Sequence, residues 1–71
     1  MYIVEFTCSG ESSIFWGAFA TQQQANAFAR KDATAQAEIQ DAELEESTHN
    51  GELCISLGDG ANYLVHALQS T

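Results

Sequence analysis

Five of the ten acidic side chains in this chain fall within Glu38-Ile39-Gln40-Asp41-Ala42-Glu43-Leu44-Glu45-Glu46. Carboxylates set this close can exchange protons as a general acid and base, hold a hard cation, or present fixed negative charge to a cationic surface. The first two uses need oxygens converging on one point. No calcium-binding loop with alternating oxygen ligands occurs, and Gly58-Asp59-Gly60 has one acid where such a loop needs several, so it reads as a tight turn. Display of charge is the use the stretch supports.

The other reactive side chains offer less. His49, His66, Cys8 and Cys54 lack the short paired spacing of structural zinc sites, so no metal is expected. Ser12 and Ser13 lie in a turn-forming cluster with no base placed near them by sequence, and there is no Gly-x-Ser-x-Gly elbow. Gly58-Asp59-Gly60 lacks the lysine and the strand-to-helix setting of a phosphate loop. The expectation is a protein that is not an enzyme and carries no cofactor. Cys8 and Cys54 read as small half-buried thiols, with a disulfide open only if their strands are neighbours.

The elements that must position the acids follow from periodicity. Tyr2 to Cys8 alternates, with Tyr2, Val4, Phe6 and Cys8 on one side and Ile3, Glu5 and Thr7 on the other, the mark of a half-buried strand. After the Ser9–Ser13 turn cluster, Ile14 to Phe19 forms a second strand and closes a hairpin. Thr21 and Gln24 fit a helix N-terminal capping box. Ala25, Phe28 and Ala29 share the face that this helix lays on a sheet. Asn50-Gly51 marks a tight hairpin turn, Leu53, Ile55 and Leu57 alternate beyond it, and Asn62 to Leu68 makes a last strand apolar on both sides. The order is ββαβββ: one α+β domain over residues 1–71, an antiparallel sheet with one helix packed on one face.

The acidic stretch itself admits two placements. A single helix from Thr21 to Glu46 would set Asp41 and Glu45 one turn apart and gather negative charge at the helix C-terminus, where the dipole opposes it. We therefore expect the helix to end near Ala35 and a strand to run over 37–46. Ala42 and Leu44 would then point inward while Asp41, Glu43 and Glu45 project outward every ~6.8 Å, a spacing on the scale of successive nucleic-acid phosphates. Glu38 and Glu46 extend this ladder at its ends, and Glu52 and Glu5 add to it from other strands. Its plainer use is to guard a sheet edge, yet five carboxylates without a local cation exceed what that requires.

The net charge of -8, with Arg30 and Lys31 the only cations, disfavours binding to nucleic acid or to an anionic membrane and favours a basic protein surface. No apolar run is long enough to span a membrane and no signal-peptide pattern is evident, so a cytoplasmic protein is expected. Seventy-one residues lie near the lower limit for a self-sufficient core, leaving monomer and homodimer open. In size, charge, absence of catalytic motifs and small α+β layout, including the Phe19-x-Thr21 entry into a helix bearing Ala25 and Phe28, the chain resembles the small acidic anti-CRISPR proteins of phages and mobile elements. The resemblance implies a stoichiometric inhibitor whose carboxylates occupy the DNA-binding groove of a CRISPR surveillance complex or nuclease. Two other readings are an assembly module dimerising through the open sheet face with Trp16, Tyr63 and Leu64, and an antitoxin-like regulator of a basic partner.

Overall fold

Residues that alternate between a buried and a more open side make three central strands, a continuously apolar segment and a polar one make the two edge strands, and a stripe of buried alanines makes the helix. In chain order these are β1 (Tyr2–Thr7), β2 (Ile14–Phe19), α1 (Gln22–Gln40), β3 (Leu44–His49), β4 (Glu52–Leu57) and β5 (Asn62–Ala67). The computed structural model describes residues 1–9, 12–58 and 60–68. Gly10 and Glu11 of the turn expected at Ser9–Ser13 and Asp59 of that expected at Gly58-Asp59-Gly60 lie outside them, and the chain turns between β4 and β5 as expected, with the Gly60 N–H donating to the Leu57 carbonyl at 3.2 Å. The sheet is antiparallel in the order β2-β1-β5-β4-β3, with α1 on one face. Both the α+β class and the ββαβββ order stand as expected.

Local chemistry fixes several boundaries. The Thr21 hydroxyl accepts from the Gln24 backbone N–H at 3.1 Å and starts α1. Asn50 and Gly51 take φ of 53° and 79°, the paired positive values of a two-residue hairpin turn, and hold His49 opposite Glu52.

The end of α1 corrects the sequence reading. The helix continues to Gln40 because Ala33 and Ala37 prolong the buried stripe of Ala25 and Ala29 at intervals of four. Topology demands the extra length. α1 connects the far end of β2, one edge of the sheet, to the near end of β3, the other edge. That diagonal spans four strand spacings by one strand length, roughly 28 Å, and a 19-residue helix covers roughly the same distance. A helix stopping at Ala35 would fall about 7 Å short. The electrostatic objections to a longer helix are met by stopping at Asp41, which adopts a left-handed φ of 53° and donates its backbone N–H to the Ala37 carbonyl.

The core lies between α1 and the sheet. Val4, Ile55, Tyr63 and Val65 are its largest fully buried side chains. Alanines on the helix bring it close, while Phe28 meets Trp16 and Phe19 at ring-centroid distances of 5.5 and 5.3 Å. Tyr63 packs against Phe6 and Trp16, and its hydroxyl donates to Asp32 Oδ2 on α1. Trp16 and Tyr63 thus face the helix, so the proposed dimer surface of Trp16, Tyr63 and Leu64 is not one surface; Leu64 alone lies on the open face. Cys8 packs against the core and Cys54 lies on the open side; both are free thiols. Among the described residues, no helix is long and apolar enough to cross a membrane.

Candidate functional site

The expected strand over 37–46 does not form, and the regular ladder goes with it. Glu38 stands in the last turn of α1, Asp41 at its C-terminal cap, Glu43 in the link to β3, and only Glu45 and Glu46 lie within β3. Alternation then separates these two. Glu45 shares the open face with Ser47 and His49, whereas Glu46 shares the helix side with Leu44 and Thr48. Ala42 is half-buried as expected, but Leu44 stays 39% exposed because β3 is an edge strand with nothing beyond it.

What replaces the ladder is an acidic pole. Glu38, Asp41, Glu43, Glu45 and Glu46 are all exposed and are gathered where the end of α1 meets the β3 edge. Glu46 accepts a hydrogen bond from Arg30 Nε at 2.8 Å; both side chains are about half exposed, a setting in which an ion pair contributes about 0–1 kcal/mol. Among the described residues, the other four acids of the pole enter no ion pair. Their charge is therefore unneutralised at short range. Between α1 and β3 lies a groove of about 240 Å³, lined by Arg30, Thr34, Leu44, Glu46 and Ile55.

Glu5 and Glu52 sit elsewhere, in the middle of the open face, where β1, β5 and β4 run side by side. His66 on β5 stands between them, with Nε2 2.8 Å from Glu5 Oε1 and Nδ1 3.8 Å from Glu52 Oε1. Hydrogen bonds from Ser13 and then His66 hold the Glu5 carboxyl below its ordinary value, against a smaller opposing effect of desolvation. The Glu52 carboxylate also accepts the Ala67 backbone N–H at 2.9 Å. The β4–β5 ladder pairs Cys54 to Ser56 with Asn62 to Leu64 and no further, so Glu52 supplies an acceptor where β4 no longer does. A depression of about 180 Å³ opens beside this point, lined in part by His49, Glu52, Cys54, Leu64 and His66.

The seven acids singled out from sequence thus divide. Five form the pole, and two flank His66 as structural partners. Sequence reasoning missed that trio although the parity of each strand placed all three side chains on one face. What it lacked was the order β1-β5-β4, which brings the chain's first and last strands together. Among the described residues no three His, Cys, Asp or Glu side chains form a group that could hold a metal ion. The surviving chemical capacity of the pole is the electrostatic attraction of cations. Comparison of the chain with protein-family models, curated proteins and solved structures finds no match.

Proposed function

We propose that the chain is a non-enzymatic binding protein that docks its acidic pole on a basic protein surface, and that this surface is one that otherwise grips nucleic-acid phosphates. The observation that carries the reading is the set Glu38, Asp41, Glu43 and Glu45: four exposed carboxylates at one end of the molecule, without an ion-pair partner among the described residues. Lysines and arginines in a DNA-binding groove would find there exposed negative charge of the sign they meet on a phosphate backbone. The net charge of -8 adds long-range steering toward such a groove and opposes direct contact with nucleic acid or an anionic membrane.

The role is then that of a stoichiometric inhibitor acting by occlusion, as the resemblance to acidic anti-CRISPR proteins implies. It does not depend on evenly spaced charges. A patch built across a helix end, a link and an edge strand matches a groove by area and sign, and the half-exposed Leu44 supplies an apolar contact among the acids. The experiment is competition. A labelled DNA duplex bound to a purified type I surveillance complex should be released by one equivalent of the protein in low salt. DNA retained at a large excess of the protein contradicts the proposal.

A further inference from the structure

The two edges of the sheet are built differently. β3, at one edge, reads Leu-Glu-Glu-Ser-Thr-His and is exposed along its whole length, with two carboxylates that deter pairing with another strand. β2, at the other edge, reads Ile-Phe-Trp-Gly-Ala-Phe and contains no charged residue. Ile14 is 52% exposed and Phe15 57% exposed. Among the described residues no other strand pairs with the outer side of β2. An unguarded apolar edge of this kind presents free N–H and C=O groups along with apolar side chains, and a second strand satisfies both.

We infer that the β2 edge is a self-association surface whose occupant is β2 of a second copy, joined antiparallel about a two-fold axis at Phe15. The segment is self-complementary in that arrangement. Phe15 lies opposite Phe15 of the second copy on the open face, and Ile14 lies opposite Trp16 on the helix side. The register of β1 with β2 shifts opposite Gly17-Ala18, so the ladder is confined to the Ile14–Trp16 end of the strand.

Charge placement selects the same geometry. Two copies of net charge -8 repel, and the contact must keep their acids apart. Pairing through β2 sends the two acidic poles to opposite ends of a ten-stranded sheet, about 43 Å apart at nine strand spacings. The nearest described acids to the axis, the two copies of Glu5, are three spacings or about 14 Å apart, beyond the screening length of about 8 Å at physiological salt. Pairing through β3 would bring the poles together. The closed two-fold contact also consumes the apolar edge on both copies, leaving a dimer with guarded outer edges.

A three-residue ladder with four to six apolar side chains is a small interface, so association belongs in the micromolar range. Added salt should strengthen it by screening repulsion, opposite to its effect on binding a basic surface. The experiment is sedimentation equilibrium from micromolar to submillimolar concentration, at low and high salt, on the intact chain and on Phe15→Lys. The expected result is a monomer–dimer equilibrium that tightens with salt and a Phe15→Lys variant that stays monomeric with an unchanged circular dichroism spectrum. If that variant fails to fold, Phe15→Cys in a Cys8→Ser, Cys54→Ser background is oxidised instead, and a disulfide-linked dimer is expected. An intact chain that stays monomeric throughout, a dimer that survives Phe15→Lys, or growth into larger polymers would each overturn the inference. So would a lack of cross-linking in the cysteine variant. An edge that serves a strand of some other protein gives the first of these results.

Discussion

The tie between Asp32 and Tyr63 gives the fold its most quantitative test. Tyr63 is 1% exposed at the centre of the core, and its hydroxyl reaches Asp32 on α1, which is half-buried. Tyr63→Phe removes the donor and leaves a carboxylate that water can still reach, so the cost is about 1 kcal/mol. Asp32→Ala leaves a phenol hydroxyl inside the protein without its partner, a penalty of about 1–3 kcal/mol. Once either partner is gone the other contributes little, and the double variant should lose about 1–1.5 kcal/mol less than the two single losses combined. A 71-residue domain has a total stability of about 4–10 kcal/mol, so urea denaturation resolves differences of this size. Burial, reinforced by Asp32, also raises the Tyr63 pKa. Above the ordinary phenol value of about 10 the unfolded chain therefore releases a proton that the folded one keeps, and stability should fall as pH rises through that value. Tyr63→Phe should lessen this alkaline loss. Single-variant losses that add to within about 0.3 kcal/mol would refute the tie.

Other consequences are smaller. Thr21→Ala removes the helix cap and should cost about 1 kcal/mol, seen as a fall in Tm of about 4–8 °C. Glu5 has a depressed carboxyl pKa, so its contribution is present above the ordinary carboxylate value of about 4.3 and is lost as pH falls through the lower folded value. Glu5→Gln should accordingly flatten the acid limb of the stability profile, and superimposable acid limbs would contradict the His66 and Ser13 contacts. Ala37→Gly should cost about 1–2 kcal/mol from helix propensity and a lost buried methyl group. In the intact protein the amides of residues 36–40 should show protection from exchange continuous with the rest of α1; free exchange from Ala35 onward would restore the shorter helix.

Signals confined to a few neighbouring residues were legible in the sequence. Thr21 with Gln24, Asn50-Gly51 and the alternation of Leu53, Ile55 and Leu57 each act through local backbone geometry, and each element begins or turns where they indicate. The end of α1 was not legible because it is decided by a distance across the sheet. Ala37 is buried only because β2 and β3 lie at opposite edges and the helix must reach from one to the other. The same nonlocal order hid the neighbourhood of Glu5, His66 and Glu52, whereas the pleat alone puts the adjacent residues Tyr63 and Leu64 on opposite faces. Composition carried the candidate site further than periodicity did. The five acids are gathered at one pole although their expected strand does not form, since a left-handed turn at Asp41 keeps the helix end and the edge strand together.

The claim that this pole binds a basic surface is tested most directly by measuring affinity for the surveillance complex across a salt series. The intact chain is compared with the triple variant Asp41→Lys, Glu43→Lys, Glu45→Lys. Each reversal changes the charge by two, taking the net charge from -8 to -2, while the exposed positions leave the core untouched. Three exposed contacts at about 0.2–1 kcal/mol each, turned from attraction to repulsion, predict a loss of at least about tenfold in affinity. The intact chain should also bind less tightly as salt rises. Equal affinity for both proteins, unaltered by salt, would contradict the account.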